Sequence, residues 1–361
     1  MRMHMSVIWI VSLCLILGML LTGCGAKKDA VAAKDYDLID LHLHLDGSLS
    51  VASVRDLAQR QGIKLPENDA DLLRLLQVSE DCRDLNEYLE KFDFPLSLMQ
   101  TQEGISMAVQ NLEQELQAQG LLYAEIRFAP QLHMQQGLTQ SQVVEAAIEG
   151  MNRSDFRSNL ILCCMRGEEN SSENLETVRV AKAYLGQGVC AVDLAGAEAV
   201  FPTENFESLF QLAAELEVPY TIHAGEADGP QSVVTALEFG TKRIGHGVRS
   251  CENADLMKAL AQNGITLELC PTSNLNTNIF EQMAEYPLRK LMQAGVRVTV
   301  NTDNMMVSGT TLEQEFQKLI DTFSLKDEEL RQLVRNAAEA SFADEETKQW
   351  LTMELEKRFS P

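Results

Sequence analysis

The most regular alternation of apolar and polar residues runs from Asp37 to Gly47. Its sequence, Asp-Leu-Ile-Asp-Leu-His-Leu-His-Leu-Asp-Gly, has the two-residue period of a β-strand. Because side chains at i, i+2 and i+4 share one face of a strand, the polar residues project together and the leucines lie opposite. These polar residues are Asp40, His42, His44 and Asp46. A Gly-Ser turn follows, so the two histidines are predicted to lie at the carboxyl end of a strand, where they can bind one metal ion.

Seven further apolar runs follow at intervals, and a segment with helical periodicity comes after each. They are residues 121–128, 160–165, 189–194, 219–223, 242–246, 265–269 and 296–302. Most are apolar throughout, as expected for parallel strands covered by helices on both faces. Eight strand–helix units predict an α/β fold, a single (β/α)8 TIM barrel.

Extra helices are predicted after the first strand and at the C-terminus. The first group covers residues 50–60, 66–77, 84–94 and about 101–118, with Pro95 as an interruption. The C-terminal group covers residues 311–323, 326–339 and 342–359. In the segment 84–94, four apolar side chains share one helical face: Leu85, Tyr88, Leu89 and Phe92. No internal repeat or second domain is visible.

The first residues have the layout of an export signal. Arg2 precedes an apolar run that ends in Leu21-Thr-Gly-Cys24, which resembles the signal of bacterial lipoproteins. We therefore expect a signal peptide at residues 1–23, lipidation of Cys24, a short polar tether at 24–35 and the barrel at 36–361. The domain would be exported and anchored by lipid to the outer side of the bacterial cell membrane. An N-terminal transmembrane anchor or an ordinary secretory signal are the alternatives, and both also export the domain.

Charge and cysteine content narrow the choice of partners. The net charge of −23 argues against nucleic acid or anionic lipid as a bound partner and says little about a neutral small molecule. Of the six cysteines beyond Cys24, four lie inside apolar runs, and no Cys-x-x-Cys occurs. A chain of this length does not need disulfides, so we predict reduced, buried thiols.

Polar residues cluster at the carboxyl ends of the predicted strands, the end that carries the active site in barrels. Three imidazoles and one carboxylate there suit Zn²⁺ and leave a position for water, and we predict one zinc ion per chain. The predicted ligands are His42, His44, His223 and Asp303. Zinc lowers the pKa of its bound water from roughly 15.7 to about 7. Glu226 is placed to donate a proton, and His246 to hydrogen-bond the hydroxide or stabilise developing charge.

Three other polar residues are predicted to be structural. Glu125 and Arg127 are expected to form an ion pair inside the barrel, and His133 to lie in a surface loop.

Six segments together resemble the adenosine deaminase family, in its order and over about residues 37–340. They are His42-x-His-Leu-Asp-Gly-Ser, Asp193-Leu-Ala-Gly-Ala-Glu, His223-Ala-Gly-Glu, Gly245-His-Gly, Cys270-Pro-Thr-Ser-Asn and Asn301-Thr-Asp. The resemblance implies a metal-dependent TIM barrel that hydrolyses the 6-amino group of adenosine to give inosine and ammonia. It also implies that Glu226 protonates purine N1 while His246 orients the hydroxide.

The resemblance implies a set of substrate contacts as well. Gly196 would contact purine N3 through its backbone, and Asp46 would accept a hydrogen bond from the ribose 5′-hydroxyl. The zinc ligand His44 counts among the substrate-binding residues. The face formed by Leu85, Tyr88, Leu89 and Phe92 would be an apolar lid, with ordinary core packing as the alternative.

Asn304 departs from the pattern, because many members have a second aspartate there that must be protonated to donate to purine N7. An amide donates without protonation, so Asn304 can keep the contact. The departure bears on rate and substrate preference.

The expected substrates are adenosine and 2′-deoxyadenosine. Adenine or another 6-aminopurine nucleoside is the first alternative, and a catalytically inactive purine-binding lipoprotein is the second. Asp46 and the lid face favour a ribosyl substrate. Glu226 and His246 favour an enzyme, since a binder needs neither.

Overall fold

The computed structural model describes residues 31–359, so the predicted signal peptide and Cys24 lie outside the described residues. Eight strands are present, each within a predicted apolar run or overlapping it. They are β1 (Ile39–His44), β2 (Tyr123–Phe128), β3 (Ser158–Met165), β4 (Val189–Ala195), β5 (Thr221–Ala224), β6 (Arg243–His246), β7 (Thr266–Leu269) and β8 (Arg297–Val300). The (β/α)8 fold class is confirmed, including the extra helices after the first strand and at the C-terminus.

The strands pair in parallel as two sheets, β1 to β4 and β5 to β8. Isolated parallel bridges join the two sheets at both seams, Val192 to Tyr220 and Leu43 to Asp303. At the second seam, the backbone N–H of His44 donates to the carbonyl of Asp303 at 2.7 Å. The last strand thus meets the first beside the two histidines.

Helices cover the strands and account for the periodic segments. They are α1 (Val51–Gln61), α2 (Asp69–Leu76), α3 (Leu85–Leu89), α4 (Asp93–Ser97), α5 (Gln102–Ala118), α6 (Gln140–Met151), α7 (Ser171–Tyr184), α8 (Glu207–Glu215), α9 (Pro230–Glu238), α10 (Ala254–Gln262), α11 (Pro271–Asn276), α12 (Leu288–Gln293), α13 (Met305–Ser308), α14 (Leu312–Phe323), α15 (Asp327–Ala340) and α16 (Glu345–Phe359). Side-chain caps begin several of them, such as Ser50 at α1 and Thr101 at α5. Among residues 31–359, no helix has both the length and the apolar character needed to cross a bilayer.

Pro95 does not interrupt the helical segment after residue 84. A 3-10 turn at Glu90–Phe92 connects α3 to α4, and Pro95 lies in the first turn of α4. A proline there gives up an N–H that has no partner within the helix, so its cost is small.

The barrel interior contains ion pairs, and they differ from the predicted pair. Glu125 and Arg127 are both fully buried but do not pair with each other. Arg243 from β6 approaches Glu125 at 2.5 Å, whereas Arg127 lies 2.8 Å from both Asp193 and Glu268. Glu125 and Arg127 point to the same side of β2, so each faces side chains from strands across the barrel.

Two local expectations also differ from the structure. His133 is buried rather than at the surface, and its Nδ1 lies 2.8 Å from the carbonyl of Met99. Ala33, within the segment assigned to the tether, is buried in a 3-10 turn, and its N–H donates to Gln317. The six cysteines of the described segment are all free thiols, and the four in apolar runs are buried, as predicted.

Candidate metal and catalytic site

Strands β1, β5 and β8 bring the four predicted metal ligands together. His42, His44, His223 and Asp303 each offer one ligand atom, and these atoms lie within 4.8 Å of one another. Asp303 Oδ1 is 3.4 Å from Nε2 of both His42 and His44, and the Nε2 atoms of His44 and His223 are 3.3 Å apart. All four residues are buried. The distances are those of side chains converging on one point.

The local backbone explains this convergence. His42 and His44 share one face of β1 because they are two residues apart. Asp303 follows β8 with a φ of +62°, a left-handed conformation that is unusual for a residue with a side chain. Two backbone hydrogen bonds to β1 hold it there, and one of them runs from its N–H to the carbonyl of His42 at 2.8 Å.

The electrostatics of the cluster suit a cation. Burial lowers the pKa of His44 and of His223, which favours the neutral imidazole that binds metal. Burial alone would raise the pKa of Asp303, but the ring of His42, whose Nε2 lies 3.4 Å from Asp303 Oδ1, holds it well below its usual range. His42 Nε2 is buried without a hydrogen-bond partner in the described protein. A metal ion would satisfy that atom, so the residues fit the ion.

Two buried carboxylates orient the histidines from behind. Glu268 Oε2 is 2.8 Å from Nδ1 of His42, and Asp193 Oδ2 is 2.8 Å from Nδ1 of His223. Arg127 lies 2.8 Å from each of these two carboxylate oxygens. Carboxylates in this position fix the ring and make the other nitrogen a better ligand.

Glu226 lies beside the cluster on the loop after β5. Burial, together with the negative charges of Asp303 and Glu198, holds its pKa well above its usual range. This environment favours the protonated form of the side chain, which can act as an acid.

The carboxylate of Glu198 holds that loop in place. It accepts four consecutive backbone N–H bonds, at 2.6 Å from Gly225, 3.0 Å from Glu226, 2.8 Å from Ala227 and 3.0 Å from Asp228. A hydrogen bond from the Ser232 hydroxyl, 2.5 Å long, completes the arrangement.

His246 is the last residue of β6, with a φ of +58°. Its Nε2 is 3.6 Å from Oε2 of Glu226, and burial lowers its pKa well below the usual value. The glycine before it is required by space, because a Cβ on Gly245 would lie 3.0 Å from Cε1 of His42.

A cavity of about 280 Å³ opens over these residues, near the lower end of the roughly 300–1,000 Å³ range for small-molecule pockets. Every predicted substrate-binding residue lines it: His44, Asp46, Leu85, Tyr88, Leu89, Phe92, Gly196 and Asn304. Tyr88 closes one side, with its hydroxyl 2.7 Å from that of Ser308. Within residues 31–359, Asp46 Oδ1 is buried without a hydrogen-bond partner, as expected of an acceptor for a ligand.

The amide of Asn304 lies close to Gly47. A Cβ on Gly47 would lie 1.8 Å from Asn304 Oδ1, so a larger residue there would displace the amide. With the oxygen on that side, the donating Nδ2 is on the other side of the amide group.

Sequence reasoning gave no role to Glu198, Glu268 or Asn274, which surround the site. Each had a signal. Glu268 interrupts an apolar strand, and Glu198 and Asn274 end two of the six family-like segments.

A parallel (β/α)8 barrel with a His/Asp cluster and a buried acid at the carboxyl ends of its strands defines a metal-dependent hydrolase. The family model for adenosine deaminase matches residues 38–358, and the chain therefore belongs to the adenosine deaminase family.

The chain aligns with adenosine deaminases of known name over about nine-tenths of its length. The chain is 49% identical over 333 residues to the adenosine deaminase of Haemophilus ducreyi, covering 90% of this chain and 97% of that protein. It is 37% identical over 325 residues to that of Enterococcus faecalis, covering 89% and 96%. Among solved structures, the adenine deaminase of Arthrobacter aurescens superposes with a TM-score of 0.79 at 27% identity, covering 89% of this chain and 98% of that one.

Proposed function

We propose that this protein hydrolyses adenosine, and also 2′-deoxyadenosine, to the corresponding inosine nucleoside and ammonia. The observation that carries the proposal is the placement of a buried carboxyl group, Glu226, in the same cavity as the His/Asp cluster and 3.6 Å from Nε2 of His246. The similarity to curated adenosine deaminases supports the same reaction.

We assign the metal as zinc, one ion per chain, held by His42, His44, His223 and Asp303. Three neutral imidazoles with one carboxylate are typical zinc donors, and hard cations such as Mg²⁺ prefer oxygen. Zinc held there supplies a nucleophilic water at neutral pH.

The side chains have separate tasks in the proposed reaction. Glu226 gives its proton to purine N1, which makes C6 electrophilic. The water oxygen adds to C6, one water proton restores Glu226, and the other passes to the amino nitrogen as the C6–N bond breaks and ammonia leaves. His246 orients the attacking oxygen through a hydrogen bond.

Three further residues orient the nucleoside. Asp46 accepts from the 5′-hydroxyl, Asn304 donates to N7, and the backbone of Gly196 contacts N3. The lid face of Leu85, Tyr88, Leu89 and Phe92 covers the ligand and excludes water.

The cavity lining favours a nucleoside over the alternatives. Free adenine would leave Asp46 buried without a partner, which costs about 1–3 kcal/mol. Adenosine monophosphate would place its phosphate among Asp46 and Asp93, and no lysine or arginine lines this cavity in the described chain. We expect kcat/KM to be highest for adenosine and deoxyadenosine, lower for adenine and lowest for the monophosphate, in a panel assayed with metal analysis on the same sample.

The Glu226→Gln variant tests the proton donor and separates an enzyme from a binding protein. We expect inosine formation to fall by at least about 10²-fold, because glutamine cannot transfer a proton. Glu168→Gln is the matched control, since Glu168 lies outside this cavity and should keep the rate. A Glu226→Gln variant with the wild-type rate would overturn the assignment. Wild-type protein that binds adenosine and forms no inosine would favour the purine-binding lipoprotein.

We also propose that the protein is exported and held by lipid on Cys24 at the outer side of the cell membrane. The support is the Leu-Thr-Gly-Cys sequence at the end of an apolar run. Intact-mass analysis should show loss of residues 1–23 and an added diacylglyceryl group, and Cys24→Ser should release the protein from membranes. Wild-type protein whose activity is found in the soluble fraction of broken cells, and not with the membranes, would contradict this location.

A further inference from the structure

Two side chains that the proposed reaction does not use, Asn274 and Tyr286, lie in line behind His246. Nδ2 of Asn274 is 3.1 Å from Nδ1 of His246, and Oδ1 of Asn274 accepts a 3.1 Å hydrogen bond from the Tyr286 hydroxyl. All three residues are at most 2% exposed, so water does not compete for these bonds.

The direction of these bonds selects one tautomer of His246. Because the Tyr286 hydroxyl donates to the amide oxygen, the NH₂ group of Asn274 faces the imidazole. An amide nitrogen can only donate, so Nδ1 of His246 must accept and carries no proton. In a neutral imidazole the proton is then on Nε2, the atom that lies 3.6 Å from Glu226.

The neighbouring backbone keeps this arrangement in register. Asn274 belongs to the short helix α11, and the N–H of Thr272 in its first turn donates to the buried carboxylate of Glu315 at 2.9 Å. The ring of Tyr286 packs against Phe280 with 5.4 Å between centroids. Asn274 and the tyrosine that orients it are therefore both held by the protein itself.

We propose that Asn274, oriented by Tyr286, is a positioning residue that makes His246 a hydrogen-bond donor and not a base toward the attacking oxygen. This inference rests on the proposed deamination for its kinetic consequence. The tautomer itself is a property of the protein without substrate.

The Asn274→Asp variant replaces the hydrogen-bond donor that faces His246 with an acceptor of nearly the same shape. A carboxylate only accepts, so in a neutral imidazole the proton would move from Nε2 to Nδ1. We expect kcat to fall about 10²- to 10³-fold with KM within about threefold. For scale, the exchange of a histidine-orienting carboxylate for an amide in a serine protease lowers kcat by about 10⁴. Asn276→Asp makes the same chemical change two residues along α11, away from His246, and should stay within about twofold of wild type.

Nitrogen-15 spectra of histidine-labelled, zinc-loaded protein read the tautomer directly. The wild type should show a protonated Nε2 and a bare Nδ1 for His246, identified by loss of its signals in His246→Gln, and Asn274→Asp should show the reverse. Tyr286→Phe frees the amide to rotate, so we expect a mixture of tautomers and about a 3- to 10-fold loss of kcat. This variant also provides the test if Asn274→Asp does not fold.

Two results would overturn the inference: a proton on Nδ1 in the wild type, or Asn274→Asp and Tyr286→Phe variants with unchanged kcat. If the wild type shows the expected tautomer and makes no inosine, the proposed function fails and the tautomer assignment stands.

Discussion

Arg127 provides the most direct test of how the barrel interior supports the metal centre. Its guanidinium bridges Asp193 and Glu268, the two carboxylates that face the proposed ligands His223 and His42. We expect Arg127→Met to weaken zinc binding although position 127 does not contact the metal, because both carboxylates would lose a shared cation and the rings would lose their fixed orientation.

The loss of Arg127 should affect Asp193 more than Glu268. Glu268 keeps a second cation, Arg243 at 2.7 Å, and a hydrogen bond of 2.9 Å from Thr221. Asp193 keeps no other arginine or lysine within ion-pair distance in the described chain. Loss of a supporting partner of a metal ligand typically costs 10- to 100-fold in affinity. For Arg127→Met we expect the upper end of this range, a loss of zinc affinity of about 100-fold or about 2.7 kcal/mol. We also expect a loss of folding stability of about 3–5 kcal/mol, because a buried ion pair is broken.

Competition with a chromophoric chelator measures the zinc Kd, and thermal unfolding measures stability. Leu351→Ala, in the outer helix α16, should destabilise the fold by about 2–5 kcal/mol without touching the network, and it controls for general loosening. A folded Arg127→Met protein whose zinc Kd is within threefold of wild type would refute the reasoning. Equal weakening in Leu351→Ala would also refute it.

Two other changes have definite expected outcomes. Tyr88→Phe removes the hydrogen bond to Ser308 and leaves the buried hydroxyl of Ser308 unsatisfied, which costs about 1–3 kcal/mol. The lid should then close less often, and KM for adenosine should rise about 3- to 10-fold with little change in kcat. An unchanged KM would show that this bond does not hold the lid. Burial raises the pKa of Glu113 to about 7, so the folded state holds a proton that the unfolded chain has lost, and stability should fall as pH rises from about 4.5 to 7. Glu113→Gln removes this titration. The stability of the variant minus that of the wild type, measured by denaturant titration, should increase by up to about 3 kcal/mol between pH 5 and pH 8. A difference that does not depend on pH would contradict the raised pKa of Glu113.

The eight strands and the convergence of the His/Asp cluster could be predicted because both depend on local pattern. Apolar runs mark parallel strands, and a polar residue at the end of such a run marks the barrel mouth. His42 and His223 are far apart in the chain, yet each was identifiable from its own strand.

Partner choice inside the barrel could not be predicted in the same way. Glu125 and Arg127 are adjacent on one face of β2, so local reasoning paired them, but Arg243 and Asp193 reach them from other strands. Burial of His133 likewise depends on a distant carbonyl, that of Met99. These contacts depend on strand register around the closed barrel, which a single sequence does not display.

Glu198 accepts four backbone hydrogen bonds from the loop after β5, and none of the four donor residues is a proposed metal ligand. Glu226, the proposed proton donor, is therefore held by the polypeptide alone, and loss of zinc should leave its loop intact. Protein stripped by a chelator should keep its shape and its affinity for purine nucleosides, and zinc added back should restore turnover within the time of mixing, with no refolding step.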